Sequence, residues 1–137
     1  MNSASNAGYS GTPLIRKLGF KPGWCVRVLH APEGYEGLLA ADPSVKLDHS
    51  GGQAVYDAVH LFLRNTDGIA TATERGIALL KPGGMIWLSW AKKSSTLHAG
   101  VTEDDLRAAV LPLGWVDVKV CAVDADWSGL KFLKRRG

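Results

Sequence analysis

From Trp24 onward, hydrophobic positions alternate between short strand-like runs and stretches with helical spacing, the pattern of a parallel sheet wrapped by helices. Before that point, Leu14, Ile15 and Leu18 make a brief apolar stripe that Thr12 can cap, Pro13 can open and Gly19 can end. This predicts a docking helix of one or two turns. Pro22-Gly23 introduces a strand over 24–30, and Pro32 opens a helix with Tyr35, Leu38 and Leu39 on one face, which Asp42-Pro43 stops. A short strand is predicted at 45–48 and a clearer one at 56–63. Ile69, Thr73, Ile77 and Leu80 recur at helical spacing, predicting a helix over 67–80. The turn Lys81-Pro82-Gly83-Gly84 then leads into 85–90, apolar on both faces as a central parallel strand is. Thr102 caps a further helix whose first turn holds Glu103, Asp104 and Asp105, favoured by the helix dipole, and Pro112 and Gly114 end it.

The last two strands differ. Val116, Val118, Val120 and Ala122 alternate with Asp117, Lys119 and Cys121, as on a half-exposed edge strand, and only the residues 123–126 separate them from a strand over 127–133. So short a connection permits only an antiparallel return. The expected architecture is one three-layer α/β domain over 8–137, its sheet mostly parallel with a C-terminal antiparallel hairpin. Strand 24–30 and strand 56–63 should be neighbours. Residues 1–7, small and polar, are expected to be disordered.

Composition narrows the class. The chain has 137 residues, 46% of them hydrophobic, enough for one domain with its own core. A net charge of +3 is too small to argue for a nucleic-acid or membrane-surface protein. The longest strongly apolar run, 83–91, is about half of the roughly 20 residues a spanning helix needs. The polar start does not fit a secretory signal, so the expected compartment is the cytoplasm. Cys25 and Cys121 lie in separate predicted strands and belong to no Cys-x-x-Cys pair, so both read as buried hydrophobes too distant to bridge. His30, His49, His60 and His98 show no zinc-type spacing, and no metal is expected.

Two segments carry a resemblance. Tyr56-Asp57-Ala58-Val59-His60-Leu61 resembles the fourth strand of the class I S-adenosylmethionine-dependent methyltransferase fold, and Leu80-Lys81-Pro82-Gly83-Gly84-Met85-Ile86 resembles the turn into its fifth. A second resemblance rests on Ala7-Gly8-Tyr9-Ser10-Gly11-Thr12-Pro13-Leu14, Ala31-Pro32-Glu33-Gly34-Tyr35, Leu88-Ser89-Trp90-Ala91-Lys92-Lys93 and the stretch from Val116-Asp117-Val118 through Trp127-Ser128-Gly129-Leu130-Lys131. By these the chain is similar to a family of small bacterial proteins, the domain-of-unknown-function family 3052. The fold implied is Rossmann-like and methyltransferase-like, with its cofactor half truncated. A methyltransferase needs a glycine-rich turn after strand one so that backbone can approach the cofactor. Here the turn is His30-Ala31-Pro32-Glu33-Gly34-Tyr35, with a single glycine. The resemblance implies an acidic ribose ligand at the end of strand two, for which Asp48 is the candidate. Before His49-Ser50-Gly51-Gly52 it also reads as a turn former. These departures favour a non-catalytic small-molecule or protein-binding module, a pseudoenzyme without a cofactor. The alternatives are a divergent S-adenosylmethionine-dependent methyltransferase or a minimal enzyme acting on an anionic small molecule.

In open α/β sheets, ligands bind beyond the carboxyl ends of the parallel strands, where strand order reverses. That edge should collect Glu33 and Tyr35, Arg64, Trp90, Lys92, Lys93, Asp124 and Trp127, with Tyr9 and Ser10 folding over it. Lys92 and Lys93, followed by Ser94, Ser95 and Thr96, suit an anionic ligand unless Asp124 and Asp126 neutralise them. Trp90 and Trp127 can stack on a planar ligand or wedge the sheet edge shut; Trp87 and Trp115 read as packing, and His60 as a hydrogen-bonded core histidine. The basic tail Lys131, Lys134, Arg135 and Arg136 holds only Phe132 as an aromatic, so nucleic acid is not an expected partner, nor is a membrane. No Gly-x-Ser-x-Gly elbow, phosphate-binding loop or His-Glu-x-x-His helix occurs.

Overall fold

A computed structural model describes residues 13–35, 37 and 44–135. The expectations for 1–12, for the helix around Leu38 and Leu39, for its stop at Asp42-Pro43 and for Arg136 lie outside these residues. Six strands form one sheet. In chain order the elements are α1 (Leu14–Leu18), β1 (Cys25–Leu29), β2 (Lys46–Asp48), β3 (Tyr56–Leu63), α2 (Ile69–Ile77), β4 (Leu80–Ala91), α3 (Glu103–Val110), β5 (Trp115–Ala122) and β6 (Trp127–Lys134). The sheet order is β2-β1-β3-β4-β6-β5. β2, β1, β3 and β4 run parallel, and β6 pairs antiparallel with both β4 and β5. The architecture is therefore a mostly parallel α/β sheet with an antiparallel C-terminal hairpin, and β1 and β3 are neighbours. Strand order reverses between them, which puts the switch point at their carboxyl ends.

Two cores flank the sheet. On one face, α1 supplies Ile15 and Leu18 to a cluster with Phe20, Val26, Val28, Tyr35, Phe62, Trp87 and Trp127. On the other, α2 and α3 cover Val59, Leu61, Ile86, Leu88, Leu130 and Phe132. Both core layers follow from the period-two alternation of each strand, which sends odd and even side chains to opposite faces.

Gly19 and Thr102 act as the sequence indicates, whereas α1 opens one residue later than expected, with Pro13 as its N-cap and Leu14 its first helical residue. Gly19 closes α1 at φ 80, a left-handed conformation. Thr102 caps α3 and, with Asp105, forms a reciprocal capping box. α2 is shorter than 67–80: it begins after Gly68, and Leu80 belongs to β4. The reason is that Leu80 pairs with Tyr56 before the chain loops out at Lys81-Pro82-Gly83-Gly84 and rejoins the ladder at Met85 opposite Ala58. On β5 a bulge between Asp117 and Lys119 breaks the strict alternation. Asp117 reaches Arg107 of α3, whereas Cys121 and Val123 pack in the α1-side core and Val118 and Val120 stay exposed. Among the described residues no helix is long and apolar enough to cross a membrane.

Candidate functional site

The carboxyl ends of β1 and β3 meet through Arg64, which follows β3 and donates to the His30 carbonyl at 2.6 Å. His30 itself turns the chain with φ 60, an unusual conformation for a residue with a side chain. The Arg64 guanidinium stands 5.0 Å from the Trp127 ring centroid, so one side chain ties β1, β3 and β6 at the switch point. Trp127 is buried against Phe62 on the α1 side. Glu33 is exposed on the turn after β1.

Tyr35 is not on the rim. It is 1% exposed, and its hydroxyl lies 2.7 Å from His60 Nδ1, while His60 Nε2 lies 2.7 Å from Ser89 Oγ. Burial pushes the Tyr35 phenol pKa up and the His60 imidazole pKa down to about 3. His60 is therefore neutral, and with Nδ1 as the acceptor Tyr35 donates to it while Nε2–H donates to Ser89. This buried chain fastens the turn after β1 to the middle of the sheet. The sequence points to His60 as a core histidine but to neither partner, because each comes from a different element.

Trp90, Lys92 and Lys93 lie on the opposite, α3 side. They line a cleft of ≈ 530 Å³ together with Val101, Thr102, Glu103, Asp104 and Arg107. Lys92 Nζ donates to the Asp124 carbonyl at 2.9 Å, and Lys93 is exposed. Asp124 does not neutralise Lys92 with its carboxylate, whose Oδ1 accepts from the Asp126 and Trp127 amides at 2.8 Å and shapes the hairpin turn. Ser95 Oγ donates to Asp126 Oδ1 at 2.8 Å. Arg107 is held by Glu103 at 2.5 Å and Asp117 at 3.0 Å. The sheet thus divides the expected rim into two groups, and two carboxylates share the cleft with the lysines. Tyr9 and Ser10 lie outside the described residues.

Asp48 occupies a third position. Its Oδ1 accepts from the Ser50 and Gly51 amides, each at 2.9 Å, and from Ser50 Oγ at 3.2 Å. Oδ2 accepts from the Gly52 amide at 3.0 Å and the Tyr56 hydroxyl at 2.7 Å. The Tyr56 bond first, then the Gly51 and Ser50 amides, hold its carboxyl well below the usual carboxylate range. β2 stops with Asp48 opposite Arg27, two residues short of Leu29, or about 7 Å below the end of β1. Below the rim and saturated by its own turn, Asp48 does not fit the ribose-binding role. The turn-forming reading of Asp48 is the one the geometry supports, and Tyr56, its strongest partner, is hidden from the sequence because the bond depends on strand register.

No family model matches the chain, and no curated protein matches it. Solved structures do. TrmN from Thermus thermophilus superposes with a TM-score of 0.59 at 13% identity, covering 88% of this chain and 47% of that one. An S-adenosylmethionine-dependent methyltransferase from Aquifex aeolicus gives 0.54 at 10% identity over 88% of this chain and 87% of its own. Magnesium protoporphyrin IX methyltransferase from Synechocystis PCC 6803, solved with bound S-adenosylmethionine, gives 0.54 at 12%, covering 88% and 74%. The chain spans about half the length of TrmN. Its fold is methyltransferase-like.

Proposed function

We propose that the protein is a divergent S-adenosylmethionine-dependent methyltransferase, working at the switch point between β1 and β3. The observation that carries this reading is the strand order, β1-β3-β4 followed by a reversed β6 and an outer β5, in a fold shared with methyltransferases over nearly nine-tenths of the chain. The cofactor would be gripped without Asp48, whose carboxylate is spent on its own turn and on Tyr56. The second ligand is an anionic small molecule in the cleft at Lys92 and Lys93. The resemblance to family 3052 belongs to the same reading. Isothermal titration with S-adenosylmethionine and its demethylated product tests it: micromolar affinity for either supports the proposal.

A second reading, a non-catalytic module on the same fold, is favoured by the saturated Asp48 carboxylate and the glycine-poor turn after β1. Absence of binding to both compounds hands the function to it. For the cleft, replacing Lys92 and Lys93 by Ala should abolish any rise in melting temperature that inorganic phosphate produces. If the rise persists, the anion binds elsewhere.

A further inference from the structure

On the α1 side of the sheet, four lysines from distant parts of the sequence gather. Lys119 and Lys131 are direct register partners across β5 and β6. Lys119 Nζ donates to the Lys17 carbonyl at 3.0 Å, at the end of α1. Lys131 Nζ lies 3.5 Å from where a Cβ on Gly19 would stand. Lys21, two residues further on, holds its ammonium 5.8 Å from the Trp24 ring centroid. The ion pairs among the described residues engage Lys81 and Arg107, and none engages these four.

Like charges directly opposite on a sheet destabilise it. Half-buried Lys131 carries that cost visibly: burial first, then Lys119 and Lys21, press its ammonium below the ordinary lysine range. Lys17 and Lys119 also share a field, since both act on the Cys121 thiol. The C-terminus of α1 offsets part of this with its partial negative charge, equivalent to roughly half an elementary charge. Four ammonium groups exceed that.

We propose that this lysine cluster is a docking surface for the phosphate backbone of a single-stranded nucleic acid. The charges are spread over the end of α1, β5 and β6, an open surface rather than an enclosed site, while Lys134, the register partner of Trp115, falls on the opposite face of the sheet. Half-buried Trp24 sits beside Lys21, the aromatic neighbour that such surfaces use and that the C-terminal tail by itself lacks. A lipid surface is disfavoured because, of the exposed large hydrophobics, only Val118 and Val120 flank any of these lysines along the chain, and neither is the Trp, Phe or Leu that interfacial insertion uses. This surface is independent of the switch-point site, so its test does not depend on cofactor binding.

Fluorescence anisotropy with labelled oligouridine, at a series of salt concentrations, measures the interaction. The wild-type chain should bind at low salt. The double variant Lys119→Ala, Lys131→Ala should bind at least tenfold more weakly, with a salt dependence shallower by about 1.4 in log–log slope, which is about 0.7 for each of the two phosphates no longer neutralised. Its melting temperature should be unchanged or higher, because the opposed charges are gone. Lys81→Ala, at an ion pair with Asp57, should bind like wild type. The proposal is overturned if oligouridine does not bind at low salt, or if the double variant keeps the wild-type slope. Lysine-dependent binding to phosphatidylserine vesicles without binding to oligouridine overturns it too.

Discussion

His60 is the residue whose environment makes the sharpest demand on pH. Its imidazole is fully buried between Tyr35 and Ser89, stacked on Phe62, and burial holds its pKa at about 3 against an ordinary 6.5. The unfolded chain takes up a proton below pH 6.5 and the folded chain does not, so stability falls as pH drops between those two values. The slope attributable to this group is at most about 1.4 kcal/mol per pH unit. Imidazole resonances of His60 should therefore show no titration near pH 6.5 by NMR, whereas a midpoint there would refute the assignment. Tyr35→Phe leaves Nδ1 without its donor in a dry site and should cost about 1–3 kcal/mol in urea unfolding. Asp48 behaves in the opposite compartment of the titration curve. Its folded pKa is depressed, so its contribution is complete above about pH 4 and is lost as pH falls through the folded value. Asp48→Asn should lower the urea midpoint at pH 7 and lose less than wild type between pH 7 and pH 3; equal losses would show that the turn does not depend on the charge.

Among the elements, the hairpin of β5 and β6 depends on one close approach. Gly129 of β6 faces Ser89 of β4, and a Cβ there would stand 2.9 Å from Ser89 Oγ and 3.0 Å from the Trp87 ring. Trp87 has no room to retreat, because its indole N–H donates to the Leu18 carbonyl at 2.8 Å. Gly129→Ala should destabilise by about 1–3 kcal/mol, as overpacking does, seen as a lower urea midpoint. α3 offers a milder test. Its capping box satisfies two backbone donors, and Thr102→Ala should cost about 1 kcal/mol with little change in the rest of the fold. The capping signal is legible in the sequence because Thr102, Asp105 and the following apolar period are all local. The bulge at Asp117 is not, since it arises from pairing with β6.

For the whole molecule, the sheet order separates Cys25 on β1 from Cys121 on β5 by three intervening strands, a distance no disulfide spans. Thiol titration should find both protected in the native protein and two reactive after unfolding; fewer than two in the unfolded chain would mean a bridge. The sequence alone determined the alternation of strands and helices, the docking helix closed by Gly19, the central strand at 85–90, the capped α3 and the terminal hairpin. These follow from periodicity and from short-range backbone chemistry, which neighbouring residues settle among themselves. Tertiary structure decided which side of the sheet each candidate residue serves. It turned Tyr35 inward, tied Asp48 to Tyr56, divided Arg64 and Trp127 from Trp90 and Lys93, and set Lys119 opposite Lys131. The physical reason is that strand parity and register send a side chain to one face or the other, and register is fixed by pairing between strands distant in the chain, where a single bulge reverses it.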